Sequence, residues 1–386
     1  MAIAEPVVSE VEGLHPSYFS VNLTRPESVQ YKPNHKTLHA RSTHNMKGAL
    51  AMRRISTLLF GWLLIFVGPS AFGQTAKLIE AGKKEGGKVV VYTSMETFTA
   101  DALKKAFESK TGLQMEYWRG ASTEILDRVL SEHRVGKPIF DVVATTGDHM
   151  HLMFKEGAFA KYESPSFKGF AQDAIDPNLG ARYRNVLYGV IYNKAGIKAS
   201  EAPKTLEDVV KPEYRGKLVM PHPVNHTLTT QWLASLDKIM SKARAEKFIR
   251  DLAAAKPIFV ESIVPAADRV GTGETPVGIT FVRFVLTYNK QGANLDYVRD
   301  YQMLGDGQYI SLGAKAPRPN AGKAFIDFFL DDESMKIQAE TGEFVNRKGI
   351  YPPLADADKI KFVQMYQFGK EDYETKKKEY QKIFLH

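Results

Sequence analysis

Small hydroxyl and glycine residues recur at three places where a run of strand formers gives way to helical spacing. Thr93, Ser94, Met95 and Glu96 follow the run Val89, Val90, Val91, Tyr92. Arg119, Gly120, Ala121 and Ser122 form the second set, and Thr145, Thr146, Gly147 and Asp148 the third. Groups of this kind are suited to holding a ligand, not to transforming it. At the carboxyl ends of strands in an open α/β sheet they line the ligand crevice, and the backbone N–H groups of the following helices favour anions. One such loop is an ordinary cap; three on one sheet edge predict a shared cleft. Asn225, His226 and Thr227 mark a fourth helix start. His149 and His151 lie two apart at a helix start, where their rings diverge, so no metal site is expected there. The chain has no cysteine, which excludes thiolate ligands, cysteine nucleophiles and disulfides. It also lacks G-x-S-x-G, H-E-x-x-H and Walker A patterns. The expectation is a binding protein, with no catalytic residue, no metal and no cofactor.

The elements that position these loops are legible nearby. Residues 87–118 read as strand, loop, helix, turn, strand, with Leu103, Ala106 and Phe107 on the apolar helix face and Thr111-Gly112 as its stop. Thr97 or Thr99 is the expected cap. Further strands are expected at 139–144, 186–192, 216–220, 258–260 and 277–281. Residues 268–273 read as a turn, 319–330 as a strong helix, and 353–386 as a charged helical tail. There is no internal repeat.

The 386 residues suffice for two domains. Of the net charge of +8, residues 1–74 contribute seven Lys/Arg against four Asp/Glu, leaving +5 on the remainder. That mild, scattered excess argues against nucleic-acid binding. Residues 1–45 read as a disordered or untranslated extension. Arg53-Arg54, the apolar run 55–67 and the small residues 71–73 predict a signal peptide over 46–74, hence export to the periplasm.

Four blocks then resemble a known family: VVVYTSMETFTADALKKAFESKTGLQMEYWRGAS, FDVVATTGDHMHLMFKEGAFAKYESP, PKTLEDVVKPEYRGKLVMPHP and APRPNAGKAFIDFFLDDESMKIQAETGEF. They are similar to periplasmic solute-binding proteins of ABC importers, in the group that includes the ferric-iron-binding proteins. The resemblance implies a two-lobed type II periplasmic-binding fold, each lobe a mixed sheet flanked by helices and joined by crossing strands. Lobe 1 would span 75–185 and 301–350, the hinge strands and lobe 2 186–300, and the tail 351–386. It also implies a monomer that hands its solute to an inner-membrane permease after hinge closure. Ferric relatives use two adjacent tyrosines, helped by a His and a carboxylate; here those positions fall on Val282, Arg283, Glu96 and Thr146. Arg283 offers a planar fork of donors suited to a carboxylate or phosphonate. Tyr188 and Tyr192, near the expected hinge, could stack on a ligand or pack in the core. The expected solute is therefore a small organic anion, with ferric iron or an iron–anion complex as the alternative.

Overall fold

A computed structural model describes residues 71–368 and 370–385. The predicted extension, and the signal peptide up to residue 70, lie outside the described residues. Helix α1 (Ala71–Lys84) precedes β1 (Lys88–Thr93), α2 (Thr97–Thr111), β2 (Gln114–Arg119), α3 (Ser122–Val135), β3 (Val142–Thr146) and α4 (Gly147–Lys155). Short strands β4 (Phe159–Ala160) and β5 (Ile175–Asp176) lead into the long strand β6 (Gly180–Asn193). A second set follows: β7 (Leu218–Pro221), α5 (Thr227–Ala234), α6 (Lys242–Ala254), β8 (Ile258–Val260), α7 (Ile263–Gly271), β9 (Val277–Phe281), α8 (Phe284–Asn289) and β10 (Leu295–Tyr297). Strand β11 (Gln302–Gly313) returns, followed by α9 (Pro319–Phe329), α10 (Asp332–Glu340), β12 (Phe344–Val345), β13 (Lys361–Gln364) and α11 (Lys370–Phe384). No described helix is long and apolar enough to cross a membrane.

The strand order β2-β1-β3-β11-β6-β9-β7-β8 runs through two lobes. Strands β2, β1 and β3 are parallel, as are β9, β7 and β8, while β6 and β11 run antiparallel to each other and to β9 and β3, and cross between the lobes. One core gathers Val89, Val91, Leu103, Phe107 and Phe325. A second gathers Leu218, Met220, Trp232, Phe248 and Ile279, and a third Tyr92, Ile125, Val143 and Met150. Parallel strands covered on both faces need continuous apolar runs, and β1 shows five buried residues in succession. Gly112, at φ 71°, ends α2 as its sequence predicts.

Three expectations change. The strand expected at 139–144 begins only at Val142, because the Asp141 carboxylate takes the Val90 N–H at 2.8 Å where a ladder carbonyl would stand. The turn expected at 268–273 is mostly helix α7, whose buried Ile263, Ala266, Ala267 and Val270 carry a clear helical spacing. The tail is not purely helical: β13 pairs with β11, and α11 then returns to the second lobe, where Phe384 meets Phe259.

The two crossing strands approach closely at Gly305, where a Cβ would sit 2.5 Å from the Val186 carbonyl oxygen. Gly305→Ala should therefore destabilise the protein by about 1–3 kcal/mol, the usual range for overpacking; a urea midpoint equal to that of the wild type would remove this constraint.

Candidate functional site

The first three sequence-predicted loops meet at one edge of the sheet. Thr145 Oγ1 lies 2.9 Å from Ser94 Oγ and 3.0 Å from Ser122 Oγ. Thr145 is fully buried, whereas Ser94 and Ser122 are half-buried. A threonine hydroxyl has one proton, so this triad leaves serine donor capacity for a further acceptor. Thr93 is buried and its hydroxyl accepts from Met95 N–H, which makes it a turn residue. Gly120 keeps the chain close to Trp118, since a Cβ would stand 2.8 Å from that ring. Ala121 N–H is taken by the Glu124 carboxylate at 2.7 Å. Thr146 bonds the His149 ring at 2.8 Å.

Helix α2 departs from its expected cap. Its N-cap residue is Glu96, not Thr97 or Thr99, and the Glu96 side chain makes no cap bond. It reaches instead to two guanidiniums. Arg283 Nη2 donates to Glu96 Oε1 at 2.6 Å, and Arg184 Nη1 to Glu96 Oε2 at 3.4 Å. Glu343 completes the group: its Oε1 lies 2.5 Å from Arg184 Nη1 and 3.5 Å from Arg283 Nη1 as ion pairs. Neither approach has hydrogen-bond alignment, and both Glu343 Oε1 and Arg283 Nη1 are buried without a hydrogen-bond partner. Arg184 Nε donates to Gln308 at 2.9 Å. Glu96 comes from the first lobe and Arg283 from the end of β9 in the second, so this network ties the lobes together. Burial would raise the Glu96 carboxyl, but the charges of Arg184 and Arg283 hold it below its ordinary range. Glu343 is raised by burial, against the pull of the same guanidiniums.

A second group of ionisable side chains lies near Asp306, two residues along β11 from Gln308. Asp306, on β11, accepts from Gln364 and Gln367 at 2.8 and 3.2 Å. Burial, with the nearby charge of Asp148, pushes its carboxyl up to about 7. Burial would lower His149, but Asp148, bonded to its ring at 2.7 Å, raises it together with Asp306 and Asp127. The native Asp306 carboxyl holds its proton up to about pH 7, whereas the unfolded one releases it near 3.8. The native state thus binds more protons in that window, and this contribution to stability is lost as pH rises through it. Asp306→Asn, which keeps an acceptor oxygen, should flatten the pH dependence of the melting temperature between about pH 4 and 8. Parallel curves for the two proteins would contradict that assignment.

In the second lobe, His226 is the N-cap of α5 and its ring accepts from Thr229 N–H at 3.3 Å. Burial lowers the ring to about 4, so it is neutral at physiological pH. Asn225 and Thr227 beside it are exposed. Tyr188 is not open to a ligand here: only 2% exposed, it shares a 2.8 Å hydrogen bond with Thr229 and packs on Trp232. The two positions that the resemblance assigns to a tyrosine pair hold a fully buried Val282 and the ion-paired Arg283. Among the described residues no three His, Asp or Glu side chains converge as a metal-binding group.

Sequence reasoning missed Arg184, Glu343, Asp306 and Gln308. Their signal was a charged or amide residue set inside apolar strand runs, as in YRNVLYGV and TGEFV.

Two lobes and crossing strands agree with the comparisons. Residues 137–373 match the family described as bacterial extracellular solute-binding protein. The chain belongs to this family. Solved structures repeat the fold. Iron-bound HitA from Pseudomonas aeruginosa is 20% identical, with a TM-score of 0.60 over 76% of this chain and 99% of that one. AfuA from Actinobacillus pleuropneumoniae, a periplasmic binding protein with fructose-6-phosphate bound, is also 20% identical, with a TM-score of 0.58 over 78% and 97%. An ABC-transporter substrate-binding protein from Agrobacterium tumefaciens gives a TM-score of 0.65 at 14% identity over 77% and 94%. The chain is thus a bacterial extracellular solute-binding protein with the two-lobed fold of these structures.

Proposed function

We propose that the protein captures a small organic solute bearing an anionic group between its lobes and delivers it to an inner-membrane ABC permease. Export through a cleaved signal peptide belongs to the same proposal. The observation that carries it is Arg283: a guanidinium only 7% exposed, set at the interlobe contact, with one nitrogen buried and unbonded. Such a group is stable only beside anionic charge. The serine donors of Ser94 and Ser122, and the α2 N-terminus that Glu96 leaves without a side-chain cap, support the same charge class.

The second reading is ferric iron or an iron–anion complex, which iron-bound HitA among the fold relatives favours. The chain's own residues favour the first, because Arg283 repels a cation and Val282 offers no donor. A thermal-melt panel of ferric iron with and without citrate, small carboxylates, phosphonates and sugar phosphates separates the two. A ligand at about a hundredfold its Kd adds roughly 2.7 kcal/mol. A shift with an organic anion alone supports the proposal; a shift that requires ferric iron contradicts it.

A further inference from the structure

We infer that Glu96 is an internal stand-in for the solute's anionic group: it holds Arg283 while the cleft is empty of solute, and the incoming anion displaces it. The inference rests on the anionic-solute reading above and adds the residue that competes with the solute. Glu96 occupies a helix N-cap position yet gives that helix no cap bond, spending its carboxylate on Arg283 at 2.6 Å. Of the two carboxylates facing the guanidiniums, Glu343 is 1% exposed and Glu96 side chain 26% exposed. Only Glu96 has a path to solvent.

Charge conservation sets how the exchange must run. Two guanidiniums face two carboxylates, and neither arginine has another carboxylate partner among the described residues. Withdrawal of Glu96 alone would leave a buried net positive charge, which is strongly unfavourable. Withdrawal coupled to the entry of a solute carboxylate keeps the balance and lets the new anion reach the unbonded Arg283 Nη1. A neutral solute cannot drive this step. Glu96 therefore acts as a specificity-determining residue, rejecting solutes that bring no anion.

Acetate is the probe that tests this. Purified wild type, Glu96→Ala, Glu96→Gln and the double variant Glu96→Ala/Arg283→Ala are melted in sodium acetate and in sodium chloride of equal ionic strength at pH 7. Glu96→Ala should melt below the wild type in chloride and gain about 2 °C or more in acetate, saturating with concentration. Glu96→Gln, which fills the space but carries no charge, should gain less; the wild type, whose tethered Glu96 competes with acetate, should gain least, and the double variant should not respond. Should Glu96→Ala fold only in acetate, that is the same result in stronger form. Should it fold in neither salt, Glu96→Gln decides, and an acetate gain no larger than that of the wild type overturns the inference. A response surviving in the double variant also overturns it, by placing the anion elsewhere. Failure of the solute reading itself shows separately, as a ferric-iron response of the wild type in the ligand panel.

Discussion

Alanine in place of Arg184 is expected to cost about 3–5 kcal/mol of stability, the range for removing one partner of a buried ion pair. Arg184 is 2% exposed and lies 2.5 Å from a Glu343 carboxylate that is itself 1% exposed. Its loss leaves Glu343 facing only Arg283, 3.5 Å away and without hydrogen-bond alignment. Gln308 also loses one of the two donors to its amide oxygen, keeping the Tyr183 hydroxyl at 2.9 Å. Removing both charges should be milder than removing one, because apolar replacements of a buried pair are often neutral or stabilising. Arg184→Met/Glu343→Met should accordingly be more stable than Arg184→Met alone, a coupling read from urea midpoints of the single and double variants. Additive effects would show that the two side chains do not act as a pair.

Arg283→Ala is expected to weaken solute binding tenfold or more, in line with about 1.5–3 kcal/mol for a lost hydrogen bond to a charged group. Glu96 contacts both Arg283 and Arg184, so some charge compensation remains and the fold should survive. Arg283→Lys should recover only part of the affinity, since an ammonium keeps the charge but not the planar fork. Titration calorimetry with the solute found in the melt panel measures both, with melting curves confirming that each variant is folded. Wild-type affinity in folded Arg283→Ala would remove Arg283 from the site.

Much of this architecture was legible in the chain. The run Val89, Val90, Val91 and Tyr92, the glycine stop at Gly112 and the apolar stripe of 319–330 announce their elements because local spacing and burial agree there. The convergence of Ser94, Ser122 and Thr145 was also foreseeable, since strands β1, β2 and β3 are parallel and end on the same edge. The ion network was not. Glu96, Arg184, Arg283 and Glu343 are separated by 88, 99 and 60 positions in turn, and the pairing of β6 with β9, β11 and β12 helps bring them together. Sequence pattern reports periodicity within an element, whereas a buried charge is matched by partners from others. For Arg283 the sequence supports only the expectation of a charge facing the cleft; its pairing with Glu96 comes from the fold. Tyr188 shows the same limit: its strand was clear, but burial against Trp232 and Thr229 decides that its hydroxyl is already taken.

The cargo proposed at Arg283 is an organic anion and not a metal ion. Native mass spectrometry of the protein isolated from a periplasmic extract, paired with metal analysis of the same sample, addresses it most directly. The expected result is a bound organic species carrying a carboxylate, phosphate or phosphonate, released on denaturation, with iron well below one per chain. Stoichiometric iron, with a tyrosinate absorption band and no organic anion, would contradict it.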